Sequence, residues 1–468
     1  MFNFSAHIDN IACVTPLGEK LTYGELEQRS DELSLHIRLG SLSFILCSNT
    51  ISSLVGYVAT TKFHGACLLL SAETPLDSLL NLIETYQPQQ IWLPSEYCTR
   101  YQFELYTRIF SDHEYSLLQN NNYIYTALPK ELKVLLTTSG STGSPKLVRL
   151  SETNIMHNAA SICEYLQIDS SERPITSLPM HYSYGLSIIN SHLVAGATLL
   201  LTNASYIEKT FWEFAANEKA TSFAGVPYTY EILKKLKFFH RDLPCLKTLT
   251  QAGGKLSREL IEYFVTNSIA HSKRFIVMYG QTEATARMSY VPEYASIRKV
   301  GSIGIPIPHG TFKIFQDGME VLDSNQSGEL VYYGTNVSLG YAECLDDLYL
   351  GDVNNGILYT GDIAYKDEDG FFYIVGRLKR FLKLFGNRIS LDYTESLLKG
   401  RYNGNYVCVG TDNKMIIYTD NLQPNYSDVI KYICEFTHIQ HSAFEIRHIE
   451  RIPRSASGKI LYHQLLNE

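Results

Sequence analysis

Apolar residues in the first half of the chain fall into short unbroken runs, separated by longer stretches with helical spacing. LSFILCS (42–48) and ACLLLS (66–71) have strand length, and SSLVGYVATTKFHG between them has the length of a crossover helix. The unit recurs as ATLLLT (197–202), the helical YIEKTFWEFAANEK and the strand ATSFAGVP, then as LKTLTQAGG (246–254) before the helix SRELIEYFVTN. Strands that alternate with helices predict an α/β lobe built on parallel-rich sheets wrapped by helices. From about Val300 the pattern changes to PIPHGTFKIFQ, GELVYYG and GILYTGD, short strands between Gly- and Asp-rich turns, which predict a small β-rich subdomain over about 300–378. After GRLKR (376–380) come YVCVG, MIIYTD, YSDVIKYICEF and FEIRHIERIP, a mixture that predicts a small α+β domain over 379–468. Residues 1–378 then form the large domain.

Composition fits a well-cored soluble protein: of 468 residues, 45% are hydrophobic and 19% charged. The formal net charge of -8 argues against non-specific attraction to nucleic acid. The nine cysteines show no CxxC pair and no metal-ligand spacing, so we expect reduced thiols in a cytoplasmic protein. The first residues lack the basic and apolar regions of a secretory signal, and runs such as HLVAGATLLL fall short of the ~20 residues of a spanning helix, so no membrane insertion is expected.

Five segments carry candidate chemistry. TTSGSTGSPK (137–146) lies between the strand patterns LKVLLTT and KLVRLS, where backbone N–H groups at a sheet end can converge on an anion. Gly140 and Gly143 allow close backbone approach, Thr138, Ser139, Ser141 and Thr142 add hydroxyls, and Lys146 adds a mobile positive charge. A nucleotide-binding P-loop would open directly into a helix with GxxxxGK[ST], and this segment does neither. YGQTE (279–283) follows a strand pattern, so Tyr279, Gly280, Thr282 and Glu283 emerge at a sheet end, where α/β proteins bind ligands. YTGD places Asp362 on a tight turn, able to accept hydrogen bonds from hydroxyls; GRLKRFLKLFGNR carries Arg377, Lys379, Lys383 and Phe385; PRSASGK ends on Lys459. Each segment alone reads better as a local turn or a solvated basic face than as a site.

In this order and at these separations the five motifs resemble the adenylate-forming superfamily of acyl-CoA synthetases, luciferases and peptide-synthetase adenylation domains, over nearly the whole chain. The resemblance implies that a carboxylic acid reacts with ATP to give an acyl-adenylate and pyrophosphate, and that the acyl group then passes to a thiol, of CoA or of carrier-bound phosphopantetheine. It implies that residues 138–146 hold the terminal phosphates, with Lys146 stabilising the departing pyrophosphate. Tyr279 and Gly280 then border the adenine, Thr282 contacts the α-phosphate, and Glu283 coordinates Mg2+. Asp362 accepts the ribose hydroxyls beside Arg377, and Gly253 and Gly254 line the adenine and acyl site. Lys459 bridges the carboxylate and the α-phosphate. Lys379 is implied as the pivot of a mobile C-terminal domain that presents either Lys459 or the face around Lys383 and Phe385.

LPMHYSYGLSIINSHLVAGA (178–197) resembles the family's acyl-site segment, with His181 and Tyr182 as gate candidates. Peptide-synthetase domains that select α-amino acids carry an aspartate here, where this chain has Ser183 and no acid between Leu178 and Ala197. Val226, Pro227 and the surroundings of Gly304 complete a mostly apolar lining suited to a fatty, hydroxy or aryl acid. Two alternatives stay open: a stand-alone adenylation protein that loads a separate carrier protein, and a non-catalytic nucleotide-binding relative.

Overall fold

The structure is a computed structural model that describes residues 1–62, 65–100, 105–122, 126–137, 146–378, 380–384, 387–411, 413–421, 425–437, 439–454 and 460–466. The chain divides into two compact units, residues 1–311 with 333–358 and residues 312–332 with 359–468. The first contains two large sheets. One has eight strands, with Leu42–Cys47, Ala66–Ser71, Gln90–Pro94 and Leu132–Thr137 parallel at its centre and antiparallel strands on both flanks. Both faces of this sheet are covered. Ile45, Leu69, Leu136 and Val148 point into one core and Phe44, Leu68, Leu135 and Leu147 into another, which is why these strands read as unbroken apolar runs.

The second sheet has nine strands, and its parallel centre includes Ser222–Gly225, Thr248–Gln251 and Arg274–Tyr279. The helices Ile51–Lys62 and Ser183–Val194 are buried along nearly their whole lengths and share one core with residues of both sheets. Tyr57 on the first helix donates a 2.9 Å hydrogen bond to Asn190 on the second. The run 197–202 shortens to a two-residue strand, Leu199–Leu200, because only these residues find ladder partners between Val14 and Ile175.

The second unit contains a five-stranded sheet that includes Ile357–Lys366 paired antiparallel with Phe372–Arg377. It also holds a hairpin (Phe381–Leu384 with Asn387–Ser390) and a three-stranded sheet of Tyr406–Thr411, Lys414–Thr419 and Phe444–His448. Leu382, Leu398, Cys408, Ile417, Val429 and Ile433 form a core of its own. All nine cysteines are free thiols, and no helix among the described residues is long and apolar enough to cross a membrane.

Gly56, in the fully buried helix, meets the indole of Trp92: a Cβ there would lie 2.3 Å from Cδ1. Trp92 cannot easily yield, because its Nε1 donates to the Ser52 carbonyl at 2.8 Å. Gly56→Ala is therefore expected to destabilise this unit by about 1–3 kcal/mol through overpacking, despite the better helix propensity of alanine. A denaturant midpoint equal to that of the unmodified chain would contradict this packing.

Candidate active site

The strand Arg274–Tyr279 ends in a sharp loop that returns as Ser289–Tyr290. Within it Thr282–Ala284 form a single 3-10 turn, and Thr285 and Ala286 take left-handed φ values of 55° and 93°. Gly280 allows the closure, since a Cβ there would sit 1.6 Å from the Ala286 carbonyl oxygen. Three amide and hydroxyl contacts fix the loop. Thr285 Oγ1 donates to the Asn336 carbonyl at 2.6 Å, Asn336 Nδ2 donates to the Ala284 carbonyl at 2.8 Å, and Asn158 Nδ2 donates to the Arg287 carbonyl at 2.8 Å.

This loop sets Thr282 and Glu283 against two other elements. Thr282 Oγ1 lies 3.0 Å from Ser183 Oγ, at the start of the Ser183–Val194 helix. Glu283 Oε1 accepts a 2.8 Å hydrogen bond from the Tyr341 hydroxyl, while its carbonyl accepts from Ser338 N at 2.8 Å. Tyr341 lies on the short strand Gly340–Ala342, which pairs with Leu147–Ser151, so its ring comes beside Lys146. Lys146 Nζ sits 3.7 Å from the ring centroid and 3.6 Å from Glu343 Oε1. One phenol thus meets a lysine at its face and a carboxylate at its hydroxyl. Its own pKa is raised, first by burial and then by the Glu283 charge, so it remains a donor at neutral pH.

A second group of expected residues also meets. Gly253 has φ +85°, and a Cβ there would lie 2.5 Å from the Tyr182 hydroxyl and 3.1 Å from Val226 Cγ1; one on Gly254 would lie 3.2 Å from Pro227 Cγ. Burial pushes the Tyr182 phenol up to about 12 and lowers the His181 imidazole to about 4. His181 Nδ1 is buried with no hydrogen-bond partner among the described residues. Gly304, at φ +87°, packs against the Tyr290 carbonyl instead, where a Cβ would come within 1.8 Å. Tyr279 receives a 3.2 Å hydrogen bond from Gln281 Nε2 at its hydroxyl.

In the second unit Asp362 and Arg377 are direct cross-strand partners. Arg377 Nε donates to Asp362 Oδ1 at 2.9 Å, with the carboxylate buried and the guanidinium 60% exposed. Thr138, Ser139, Gly140, Ser141, Thr142, Gly143, Lys379, Phe385 and Lys459 lie outside the described residues, as does the side chain of Lys383. Among the described residues no cluster of three or more His, Cys, Asp or Glu side chains could hold a metal ion. Glu283 is a single carboxylate, a donor set that suits Mg2+ shared with phosphate oxygens rather than an all-protein cage.

Residues 3–342 match the family described as AMP-binding enzyme, and the chain belongs to that family of adenylate-forming proteins. It is 31% identical over 255 residues to the putative acyl-CoA synthetase YngI of Bacillus subtilis (strain 168), a match that covers 54% of this chain and 46% of that protein. This chain therefore matches just under half the length of that relative. A linear gramicidin synthase of Brevibacillus parabrevis is 23% identical over 465 residues, covering 94% of this chain and 6% of the relative. The fold is similar to o-succinylbenzoate CoA synthetase from Bacillus subtilis, solved in complex with its acyl-adenylate intermediate (TM-score 0.80, 21% identity, 98% and 95% of the two chains). The same protein was solved in complex with ATP and magnesium ion (TM-score 0.79, 21% identity, 98% and 96%).

Burial holds His181 neutral in the folded state, with a pKa near 4 against the ordinary 6.5. Its contribution to stability is complete above pH 6.5 and is lost as pH falls toward 4, amounting to about 2 kcal/mol between pH 7 and pH 5. We expect His181→Gln to remove that part of the acid sensitivity in denaturant unfolding. An unchanged pH slope would place the imidazole in solvent.

Proposed function

We propose that the chain activates a small carboxylic acid with ATP, releasing pyrophosphate, and then transfers the acyl group from the adenylate to a thiol. One observation carries the reading: the Tyr341 phenol holds Lys146 over its ring face and Glu283 at its hydroxyl, so both charges meet at one side chain. That arrangement offers a cation to the terminal phosphates and a carboxylate to a phosphate-bound Mg2+. A Mg2+ bound through Glu283 would neutralise phosphate charge during attack by the anionic acid.

The protein groups do the rest. Thr282, oriented by Ser183, donates to the α-phosphate, and Lys146 stabilises the pyrophosphate as it leaves. Tyr279, Gly280, Gly253 and Gly254 form walls of the adenine site, and the acid enters past His181 and Tyr182 toward Val226, Pro227 and Gly304. Asp362 binds the ribose hydroxyls, its orientation fixed by Arg377. Lys459 pairs with the reacting carboxylate and the α-phosphate as a point charge. The domain boundary falls at 378/379, and Lys379 is the pivot that brings the face around Lys383 and Phe385 to the thiol for the second step.

The acceptor is CoA, as the names of several relatives suggest, and the setting is the cytoplasm. The match to linear gramicidin synthase along 94% of this chain supports a second reading, transfer to the phosphopantetheine of a separate carrier protein. The test is pyrophosphate exchange with a panel of carboxylates, followed by discharge of the adenylate to CoA or to a loaded carrier. Silence across fatty, aryl, hydroxy and amino acids would overturn acid activation.

Lys146→Ala is expected to lower pyrophosphate exchange by about 100-fold with the fold intact. Tyr341→Phe keeps the ring under Lys146 but releases Glu283. We expect it to raise KM for Mg-ATP by about tenfold, the low end for a hydrogen bond to a charged group because the site is half-exposed. Exchange at the unmodified rate in both variants would reduce this corner to a structural turn.

The two half-reactions separate the remaining roles. Lys459→Ala should abolish adenylate formation while sparing thioester formation from supplied adenylate, and Lys379→Pro should do the reverse. Equal losses in both half-reactions would remove the pivot.

A further inference from the structure

Two arginines of the first unit are almost completely buried, Arg149 at 0% and Arg287 at 2% exposure. They are satisfied very differently. Arg149 donates to four backbone carbonyls, those of Leu339, Tyr341, Leu350 and Gly351, so its whole fork is met by oriented dipoles. Arg287 has the Ser187 hydroxyl on Nε at 3.0 Å, the Tyr165 hydroxyl (3.2 Å) and Met278 sulfur (3.6 Å) on Nη1, and the Tyr184 ring, whose centroid lies 5.2 Å from the guanidinium carbon. Nη2 has no hydrogen-bond partner among the described residues, and no carboxylate there lies within ion-pair distance of the guanidinium.

None of the groups in contact with Arg287 supplies a negative charge, and Glu172, which lines the same cavity, accepts from the Thr221 hydroxyl and forms no ion pair with Arg287 among the described residues. Burial raises the Cys163 thiol to about 11 and raises the phenols of Tyr165 and Tyr184. His192 is held near 4, first by burial, with the Arg287 charge adding to it. Its Nδ1 lies 2.8 Å from the Ile188 carbonyl, which can only accept, so the proton is on Nδ1. Nε2 is then a buried atom with no partner among the described residues. His192, Arg287 and Thr250 line one narrow cavity. A buried guanidinium among neutral groups is costly, and an anion that enters with a ligand removes the cost.

The position of Arg287 says which ligand. Ser187, its hydrogen-bond partner, lies one helical turn beyond Ser183, which touches Thr282, so the two serines share a helix face about 6 Å apart along its axis. We infer that Arg287 is a specificity-determining residue that binds a second anionic group, a carboxylate or sulfonate, on the acid whose first carboxylate reacts beside Thr282. This rests on the acid-activation reading and narrows it. The lining expected from the sequence was mostly apolar, and Arg287 adds a cation whose partner Ser187 lies one helical turn from the Ser183 contact. The substrate is then an acid with two anionic ends joined by a short spacer of a few carbon atoms, the distal end taken by Nη2 of the guanidinium, while Ser187, which donates to the Tyr184 carbonyl and accepts from Nε, holds the guanidinium in place.

The experiment compares pyrophosphate exchange by the unmodified chain on matched sets of straight-chain and aryl acids: dicarboxylates, sulfocarboxylates and monocarboxylates of equal length. We expect one of the two dianionic sets to exceed its monocarboxylate match by at least about 100-fold in kcat/KM, since a site built around a polar partner rejects the analogue that lacks it. Which set does so identifies the distal group. Arg287→Met should invert that preference, and Arg287→Lys should keep its direction at reduced size. Monocarboxylates used as well as or better than every dianionic match would overturn the inference and leave acid activation standing. Silence with all three sets would overturn both. The comparison among acids needs only the unmodified chain, so misfolding of a variant does not protect the inference.

Discussion

The site in the first unit depends on the closure of the loop between Tyr279 and Met288. Met288 N donates to the Tyr279 carbonyl at 2.9 Å, and the turn can shut only because Gly280 has no side chain to meet the Ala286 carbonyl. The closed loop then projects three polar side chains in three directions. Thr282 reaches the Ser183 helix, Glu283 reaches Tyr341, and Arg287 runs between the helices Glu152–Leu166 and Ser183–Val194. Left-handed backbone at Thr285 and Ala286 carries a conformational cost for residues with a Cβ. The fold meets it with the buried amides of Asn158 and Asn336, both donating to the Arg287 carbonyl. A loop held this way fixes the direction in which Thr282, Glu283 and Arg287 leave the sheet end.

Tyr341 extends the same logic across the sheet edge. Lys146 and Glu283 carry opposite charges, and a direct pair between them would occupy both. In the structure the carboxylate takes the phenol's hydrogen bond and the ammonium rests on the ring face. Glu343, 3.6 Å from Lys146 and 60% exposed, is screened by solvent and holds the lysine only loosely.

Much of this was legible in the sequence, for reasons that separate sharply by residue. ACLLLS was readable as a buried strand because an apolar run on a doubly covered sheet needs no partner to be recognised. YGQTE was readable as a strand end and a turn because that chemistry is local, whereas YTGD, expected on a tight turn, lies within the strand Ile357–Lys366, where the ladder sets Asp362 across from Arg377 only 15 positions away. Tyr341, Asn336 and Arg287 were not readable. Tyr341 is one of 33 tyrosines, and it matters because Glu283, 58 positions earlier, accepts its hydroxyl hydrogen bond. Arg287, in ATARMSY, looks like any surface arginine until Tyr165 and Ser187 close around it from 122 and 100 positions away. Non-local pairing of single polar residues leaves no periodic trace.

The second unit shows the same separation of local from distant causes. Arg380, next to the proposed pivot, forms ion pairs with Asp392 and with Glu395 (2.8 Å), and its guanidinium lies 3.8 Å from the Tyr462 ring centroid. Tyr462 also donates to Glu395 at 3.4 Å, so the Tyr462–Leu466 helix is tied to the residue that follows Lys379. A tie of this kind makes the segment around Arg380 and the segment after Lys459 parts of one packed body. If the backbone turns at Lys379, the C-terminal segment must travel with Arg380 rather than trail behind it. The charge cluster joins Arg380, the Leu391–Arg401 helix and the Tyr462–Leu466 helix, so these segments hold together within the second unit although about 80 positions separate them.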